Sequence, residues 1–258
     1  MMSERVFEGH DSAVRNRTKT MLMYFVVFAV TMLFAGFTSA YIVSNMGQFW
    51  VHVPAPSMFW TSNVMIALSS ASLWWATRAI RQGQTQMGTV AMALTLLLGI
   101  GFTLTQAEGW KQLTAIGMGW DTSETESGTA FRWNSLEAIY ESSAVYGEDY
   151  DIRFDGQPLL HDAARGELYA SDDALMVQPI TTKVLQSSNS GGGYIWALVM
   201  THILHLVFGL IYLVVNGIRV FTGVIHQGDT VRLKALGIYW HFLGLLWVYL
   251  FAFLFCLH

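Results

Sequence analysis

The sequence predicts an all-α membrane protein: a bundle of five transmembrane helices with the N-terminus inside, the C-terminus outside and an acidic outer insertion. Of the 258 residues, 53% are hydrophobic and 12% are charged, whereas charged residues make up about 25% of ordinary soluble domains. Five apolar runs are each long enough for a helix to cross the roughly 30 Å hydrocarbon layer. Basic residues crowd beside one set of ends of these runs, which sets the predicted orientation.

The N-terminal part of the chain contains the first three predicted helices. A polar segment, residues 1–20, ends in Arg15, Arg17 and Lys19, a cytoplasmic flank by the positive-inside rule. Residues 21–110 then hold the transmembrane helices, with apolar runs at 21–43, 57–77 and 88–109. The first run is longer than the apolar core of a signal peptide, so we predict that it is retained as a helix.

Residues 111–190 form a predicted acidic extracytoplasmic insertion, with 13 acidic and 5 basic residues. Its aromatic and aliphatic content is too high for a disordered linker, yet a core of its own would be marginal at this length. We therefore expect it to fold against the membrane portion or a neighbouring protein. Alternating polar and apolar residues at 150–154 predict a short strand, followed by a turn at Asp155 and Gly156.

Residues 191–258 contain the fourth and fifth predicted helices, with apolar runs at 193–217 and 236–257. The glycine triplet at 191–193 is interpreted as a hinge at the membrane entry. An inside N-terminus places most basic residues on the inner side and His258 on the outer side. The inner basic residues are Arg5, Arg15, Arg17, Lys19, Arg78, Arg81, Arg219, Arg232 and Lys234.

Composition and motifs exclude several function classes. The formal net charge is -4 and no basic cluster is interleaved with aromatic residues, so nucleic acid is not an expected partner. With Cys256 as the one cysteine, the chain has no internal disulfide, thiolate-rich zinc site or two-cysteine copper centre. Nucleotide-binding and zinc-hydrolase motifs do not occur. We predict no catalytic and no metal-binding residue in this chain.

Several short motifs follow one another in an order that is specific as a set. They are Phe34-Ala35-Gly36 to Tyr41, Trp50 with Pro54 and Pro56, Asn63 with Leu68-Ser69-Ser70, Gln106-Ala107-Glu108, Thr201-His202-Ile203-Leu204-His205-Leu206 with Gly209, and Tyr239-Trp240-His241-Phe242. In this order the chain resembles subunit III of the haem-copper (cytochrome c or quinol) terminal oxidases, in the five-helix bacterial form. The resemblance covers all five predicted helices and leaves out the insertion.

The resemblance implies a non-catalytic subunit III of a proton-pumping haem-copper terminal oxidase in aerobic respiration. Such a subunit supports assembly, lipid binding and proton uptake by the catalytic subunit within an electron transport chain. It implies phospholipid but no redox cofactor in this chain, with haem and copper on the partner subunits I and II. It also implies a multi-pass protein of the bacterial inner (plasma) membrane, with other respiratory complex subunits as candidate neighbours of residues 111–190.

Two positions depart from the family pattern. Where many members carry a buried glutamate in the first of these helices, this chain has Val30, and Leu243-Gly244 stands where the last helix usually continues Val-Asp. Because both missing groups are carboxylates, a proton-handling role at these positions is not carried over.

His202 and His205 lie one turn apart in an apolar run, so they share one helix face that should pack against protein. The alternative to an interhelical hydrogen bond is a haem-b electron-transfer subunit that uses these histidines as ligands. His205 lies roughly 18 Å and His241 about 7 Å from the inner ends of their helices, a mismatch of about 10 Å for a bridging haem. We therefore prefer the interhelical hydrogen bond. A transporter subunit is the third alternative, without the intramembrane charges expected of an ion path.

Glu108 and Asn63 complete the predicted interhelical set. Glu108 is interpreted either as a proton carrier or as an interfacial carboxylate paired with His202, His205 or Lys111. We favour the pairing, because an unpaired carboxylate near hydrocarbon is costly. Asn63, with Ser69 and Ser70, is expected to support close helix packing and hydrogen bonds across the contact.

A lipid-binding set is predicted near the inner membrane boundary. Arginine beside indoles can hold a phosphate while its stem lies in hydrocarbon, and the resemblance adds a headgroup contact at the last helix. Ordinary interface anchoring is the alternative interpretation for the same residues. They are Trp74, Trp75, Arg78, Trp240 and His241.

Overall fold

A computed structural model describes residues 2–45, 47–115, 120–125, 128–133, 136–140, 143–187, 191–225 and 230–256. Helices dominate these residues. The five long helices are α1 Met2–Asn45, α2 Ser57–Arg81, α3 Thr85–Ala115, α6 Gly191–Phe221 and α7 Val231–Phe251, which continues as a π-helix over Ala252–Cys256. Two short helices are α4 Leu136–Tyr140 and α5 Thr181–Gln186. His258, which we predict to be outside, lies beyond the described residues.

Four helical segments of the described residues are long and apolar enough to cross a membrane, as expected for an all-α, multi-pass membrane protein. They are Val14–Ser44, Thr85–Ala115, Gly193–Phe221 and Val231–Phe255. The 25 residues of α2 reach about 37 Å, which is also long enough. However, α2 is not among these four segments, and its apolar stretch is interrupted by Asn63 and by serines at 62, 69, 70 and 72.

The long helices extend beyond the predicted apolar runs, and two of these extensions bear on the sequence predictions. Helix α1 already begins at Met2, so the polar residues before the first apolar run are helical rather than a separate segment. Helix α6 begins at Gly191, so the glycine triplet forms its first turn, and a hinge at this place stays a prediction. In both cases a long helix continues beyond the apolar residues, because backbone hydrogen bonding propagates cheaply once a helix has formed.

The chain divides into two compact units, and all five long helices contribute to both. Unit 1 consists of residues 1–34, 61–105 and 201–249, and unit 2 of residues 35–60, 106–200 and 250–258. Unit 1 is built from helical segments. Unit 2 combines the remaining helix ends with the insertion and contains the strands.

The core of unit 1 is an interhelical seam around Trp240 of α7, whose side chain is 0% exposed. The indole Nε1 donates to Ser69 Oγ of α2 at 3.0 Å, and Ser69 Oγ in turn donates to the Thr95 carbonyl of α3 at 3.2 Å. One turn further along α2, Ser72 Oγ donates to the Ala91 carbonyl at 2.9 Å. The expected hydroxyl contacts between helices are therefore confirmed for Ser69.

Two glycines make room for this seam. A Cβ at Gly99 of α3 would lie 2.9 Å from Trp240 Cη2, and a Cβ at Gly209 of α6 would lie 2.9 Å from Leu243 Cδ1. Side chains at these positions would therefore force the indole or its neighbours to move. Small residues at such contacts allow membrane helices to pack closely.

The described residues of unit 2 contain seven short strands. They are β1 Phe49–His52, β2 Trp120–Thr125, β3 Gly128–Trp133, β4 Asp151–Phe154, β5 Gln157–Pro158, β6 Leu160–Asp162 and β7 Glu167–Tyr169. All pairings are antiparallel, in the orders β1-β4-β5, β2-β3 and β6-β7. Strand β4 and the turn at Asp155 (φ 48°) and Gly156 (φ 77°) confirm the sequence prediction for this stretch.

The chain between α1 and α2 belongs to the same sheet as the insertion, which the sequence analysis did not predict. Strand β1 pairs with β4 in the register Trp50 to Arg153. The indole of Trp50 donates to the hydroxyl of buried Tyr41 at 3.2 Å, and the Gly47 amide donates to Asp155 Oδ1 at 3.1 Å. These bonds tie the insertion to the end of α1 within unit 2.

Tyr146 holds the middle of the insertion. Its hydroxyl donates to the Leu159 carbonyl at 3.1 Å and accepts from the Ile152 amide at 3.3 Å. Burial raises the pKa of Tyr146 to about 12, so the hydroxyl keeps its proton at neutral pH. The insertion therefore has an internal hydrogen-bond network of its own.

Candidate lipid-binding cavity

A cavity of about 540 Å³ lies in unit 1 between the C-terminal end of α2 and the beginning of α7. In α2, Trp74, Arg78 and Arg81 follow one another at a spacing of four and three residues, so they share one helix face. In α7, Lys234 and His241 are two turns apart and also share a face. The full lining is Trp74, Thr77, Arg78, Arg81, Gln82, Leu233, Lys234, Gly237, Ile238 and His241.

The lining carries positive charge without a matching carboxylate. Arg78, Arg81 and Lys234 all border the cavity, and its described lining contains no Asp or Glu. The three ion pairs among the described residues lie elsewhere, at Glu108 with Lys111, Asp151 with Arg153 and Asp162 with Arg165. The cavity thus offers several cationic donors to an anion.

The position of Lys234 strengthens this conclusion. It lies in the first turn of α7, where the helix dipole already places partial positive charge, so a cation there is unfavourable by itself. A bound anion would be attracted by both the ammonium group and the helix end. Arg78 and Arg81 have the opposite setting, since they lie in the last turn of α2, where the dipole favours cations.

Trp74 gives the cavity an amphipathic edge. Its side chain is 59% exposed. The guanidinium carbon of Arg78 lies 5.7 Å from the centroid of its ring, within the range of a cation-π contact. This contact orients Arg78 while the exposed indole can lie among lipid headgroups.

An apolar groove of about 370 Å³ shares one lining residue with this cavity. His241 lines both the basic cavity and this groove, which otherwise is formed by aliphatic side chains, Ser70 and Gly244. A Cβ at Gly244 would lie 3.2 Å from Ile66 Cγ1, a tight contact, so the glycine allows α7 to pack closely against α2 here. A basic cavity and an apolar groove that meet at one residue suit a phosphate headgroup with an attached acyl chain.

The structure brings together three of the five predicted lipid-binding residues, namely Trp74, Arg78 and His241. Trp75 is 44% exposed and does not line the cavity. Trp240 requires a correction: at 0% exposure it is packed between helices and hydrogen-bonded to Ser69, so it has no surface for lipid. Neighbouring residues on a helix point about 100° apart, which separates Trp240 from His241.

Sequence analysis missed Arg81 and Lys234 as members of this site. Both had been assigned only to the inner basic flank. The available signal was helical spacing, since Arg81 lies seven residues after Trp74 and Lys234 seven residues before His241.

The two histidines of α6 differ from expectation. His205 Nδ1 bonds to the Thr201 carbonyl of its own helix at 2.7 Å. Its hydrogen bond to another helix is made by its backbone carbonyl, which accepts from Tyr239 Oη at 3.1 Å. His202 is 1% exposed, and its Nδ1 has no hydrogen-bond partner among the described residues. Phe102 and Trp247 surround its ring, with centroids 6.3 Å and 5.4 Å away.

Glu108 and Asn63 occupy different environments. Glu108 Oε2 accepts from Lys111 Nζ at 3.0 Å, so its partner is the lysine one turn further along α3 rather than a histidine. Both side chains are at least half exposed, and such a pair contributes little stability. Asn63 is half-buried, and its Oδ1 has no hydrogen-bond partner among the described residues.

Comparisons of the sequence with models of protein families and with curated proteins find no match.

Proposed function

We propose that this chain is the non-catalytic subunit III of a proton-pumping haem-copper terminal oxidase and that it holds phospholipid beside the catalytic subunit. The ordered motifs support the oxidase assignment. The observation that carries the lipid-binding role is the convergence of Arg78, Arg81 and Lys234 on a cavity that shares His241 with an apolar groove. Oxygen reduction takes place on the partner subunits I and II, which carry haem and copper.

Residues from these motifs hold the helices of unit 1 together. Trp240 bonds to Ser69, and the carbonyl of His205 accepts from Tyr239. Such contacts suit a subunit whose task is to stabilise an assembly and retain lipid. In this role the chain covers a flank of the catalytic subunit and supports its proton uptake from the cytoplasmic side.

The proposed topology has five transmembrane helices in the bacterial inner membrane, with the N-terminus inside and the C-terminus outside. Helix α2 is the fifth crossing, supported by its length of 25 residues and by Arg78 and Arg81 at its end. In this orientation the basic cavity faces the inner leaflet, whose anionic lipids attract Lys and Arg. Residues 111–190 then lie outside.

The outer insertion is proposed to contact another protein of the respiratory chain. The loop at 171–179 exposes Leu175 by 86% and Val177 by 68%. Asp173 accepts from the Val177 and Gln178 amides at 2.9 and 2.8 Å, which holds the loop in one shape. Two apolar side chains on an ordered, acidic loop suit an apolar pocket with a basic rim on the neighbour.

A photo-crosslinking amino acid at position 175 tests this contact in native membranes. We expect it to label one protein subunit, whereas the same probe at Val145, 52% exposed on the same insertion, should not. Labelling of lipid alone at position 175, or equal labelling from both positions, would contradict the contact.

The haem-b alternative requires an accessible imidazole on α6. The ring of His202 is 1% exposed and packs against Phe102 and Trp247, and this burial supports a packing role for His202 over haem ligation. We therefore expect His205→Ala to weaken assembly or stability while the haem spectrum of the whole enzyme keeps its shape. A haem band from this chain alone that His205→Ala removes would support the alternative.

The assignment is tested by extracting the tagged chain gently from its native membranes and identifying the proteins that travel with it by mass spectrometry. We expect a large haem-copper catalytic subunit and a second subunit in constant ratio to this chain. Recovery of the chain with a different set of partners, or alone with its own haem, would refute the proposal.

A further inference from the structure

A second basic cavity of about 350 Å³ lies in unit 1 between α1, α6 and α7. Each of these helices supplies one cation: Lys19, Arg219 and Arg232 respectively. The described lining contains no Asp or Glu, and its remaining residues are apolar apart from one tyrosine. None of the residues predicted from the sequence to bind lipid belongs to this cavity.

The three cations lack an ionic partner within the part of the chain that the structure describes. None of them takes part in the three ion pairs found there. Arg219 and Arg232 are only half exposed, so their charges are partly removed from water. Partly buried like charges that converge on one space repel one another unless an anion lies between them.

The helix dipole favours a cation at only one of these three positions. Arg219 lies in the last turn of α6, where a cation is favoured. Arg232 lies in the first turn of α7, where a cation is disfavoured. An anion at Arg232 would neutralise the charge of the guanidinium and the partial positive charge of the helix end. Lys234 has the same need in the cavity between α2 and α7.

The wall formed by α1 decides what kind of anion fits. Lys19, Leu22, Met23 and Val26 all line the cavity at the spacing of one helix face. From Lys19 to Val26 the helix rises about 10 Å. A cation followed by about 10 Å of aliphatic surface matches a phosphate headgroup followed by the first part of an acyl chain, whereas a free phosphate ion would leave the apolar wall unused.

We propose that this cavity binds the headgroup of a second anionic phospholipid, with the phosphate among Lys19, Arg219 and Arg232 and an acyl chain along Leu22, Met23 and Val26. The site is separate from the cavity of Trp74 and His241. It is also independent of the oxidase assignment, because it depends only on the geometry of unit 1 and on the presence of a membrane.

The test uses the full chain reconstituted in nanodiscs of phosphatidylcholine with a minor fraction of phosphatidylglycerol, and native mass spectrometry measures bound phosphatidylglycerol. A K19Q/R219Q/R232Q variant should bind one phosphatidylglycerol about 100-fold more weakly, since each basic residue contributes roughly five-fold. The matched control is R15Q/R17Q, which removes two exposed cations of α1 that do not line the cavity. The control should retain wild-type binding.

A photoactivatable phosphatidylglycerol, with the reactive group in its acyl chain, then locates the bound lipid. Labelling of the peptide containing Leu22 to Val26 in the wild type, and its loss in the variant, would support the site. Equal loss of binding in the control would overturn it, because general attraction to the membrane would then suffice. Protection of this peptide by inorganic phosphate without lipid labelling would also overturn it, since the occupant would be a free anion.

A charge-reversal variant keeps the test valid if the triple variant misfolds. Lys19 is exposed, so Lys19→Glu should leave the helical circular dichroism signal unchanged. It should nevertheless weaken the binding of this one phosphatidylglycerol at least as strongly as the removal of a single cation does. Arg15→Glu should leave the binding unchanged. Unchanged binding in Lys19→Glu would refute the site.

Discussion

Polar side chains in the interior of unit 1 and at its basic end are accommodated in different ways. In the interior, neutral hydroxyl and indole groups find partners within the chain, as Trp240 does with Ser69 and Ser72 with the Ala91 carbonyl. At the basic end, Arg78 and Lys234 surround a cavity without a carboxylate among the described lining residues. Polar groups inside the bundle therefore serve packing, whereas the charges at its end are available to an external anion.

Helix α7 takes part in both regions, which makes the comparison direct. Trp240 faces the interior and is 0% exposed, and His241, the next residue, lines the basic cavity and the apolar groove. Two neighbours in the chain thus have different tasks. A variant of a residue that faces the interior should lower stability. A variant of a residue that lines the cavity should weaken lipid binding instead.

The largest expected effect comes from Trp240→Ala. Removing this buried indole leaves a cavity and deprives Ser69 of a partner, so we expect a loss of about 3–5 kcal/mol in the free energy of unfolding. Denaturant unfolding in detergent measures it. Trp74→Ala is the matched control, because this indole is 59% exposed, and it should change stability little. Equal losses in the two variants would contradict the distinction between interior and end.

Gly99→Ala should have the next largest effect. The new Cβ would lie 2.9 Å from Trp240 Cη2, and displacing the indole should cost about 1–3 kcal/mol by overpacking. Gly36→Ala is the control in another helix, since its Cβ would meet nothing within 4 Å. That variant should be neutral or slightly stabilising because alanine favours helix. Thermal unfolding of both compares them, and a stable Gly99→Ala would show that the seam is loosely packed.

Ser69→Ala should cost about 1–3 kcal/mol, because it leaves the buried N–H of Trp240 without an acceptor. Ser70, the next residue, lines the apolar groove instead. Ser70→Ala should therefore leave the free energy of unfolding almost unchanged. The same denaturant titration measures both, and a larger loss in Ser70→Ala would reverse our assignment of the two hydroxyls.

The smallest effect on stability is expected for R78Q/R81Q, which should instead weaken lipid binding. These exposed arginines are not in described ion pairs, so the fold should be unaffected within about 0.5 kcal/mol. Anionic lipid should bind roughly 25-fold more weakly in reconstituted membranes. R15Q/R17Q is the control for general membrane attraction. Unchanged lipid binding in R78Q/R81Q would remove the basis for the cavity as a headgroup site.

Part of the candidate site followed from spacing. Trp74 and Arg78 lie one turn apart beside the end of an apolar run, and this pattern predicts an interfacial anion site without knowledge of the fold. His241 was included through the resemblance. Lys234 was missed because its membership depends on α7 packing beside α2, and residues that are distant in sequence come together only in the tertiary structure.

The insertion likewise shows that contacts between residues distant in sequence could not be predicted. Alternation predicted strand β4 and its turn, because a strand pattern and a turn signal are local properties. The pairing of Phe49–His52 with this strand was not predicted. A four-residue strand between two helices carries almost no periodic signal, and its partner lies about a hundred residues further along the chain.

The sequence by itself determined which segments are apolar helices, where their charged ends lie and that the chain suits a membrane, because length, hydropathy and flanking charge are local quantities. Only the tertiary structure decided which side of each helix faces its neighbours. Inside a membrane both the packed side and the lipid side of a helix are apolar, so hydrophobic periodicity cannot distinguish them. For that reason the inward position of Trp240, and the two cavities that flank α7, became visible only with the fold.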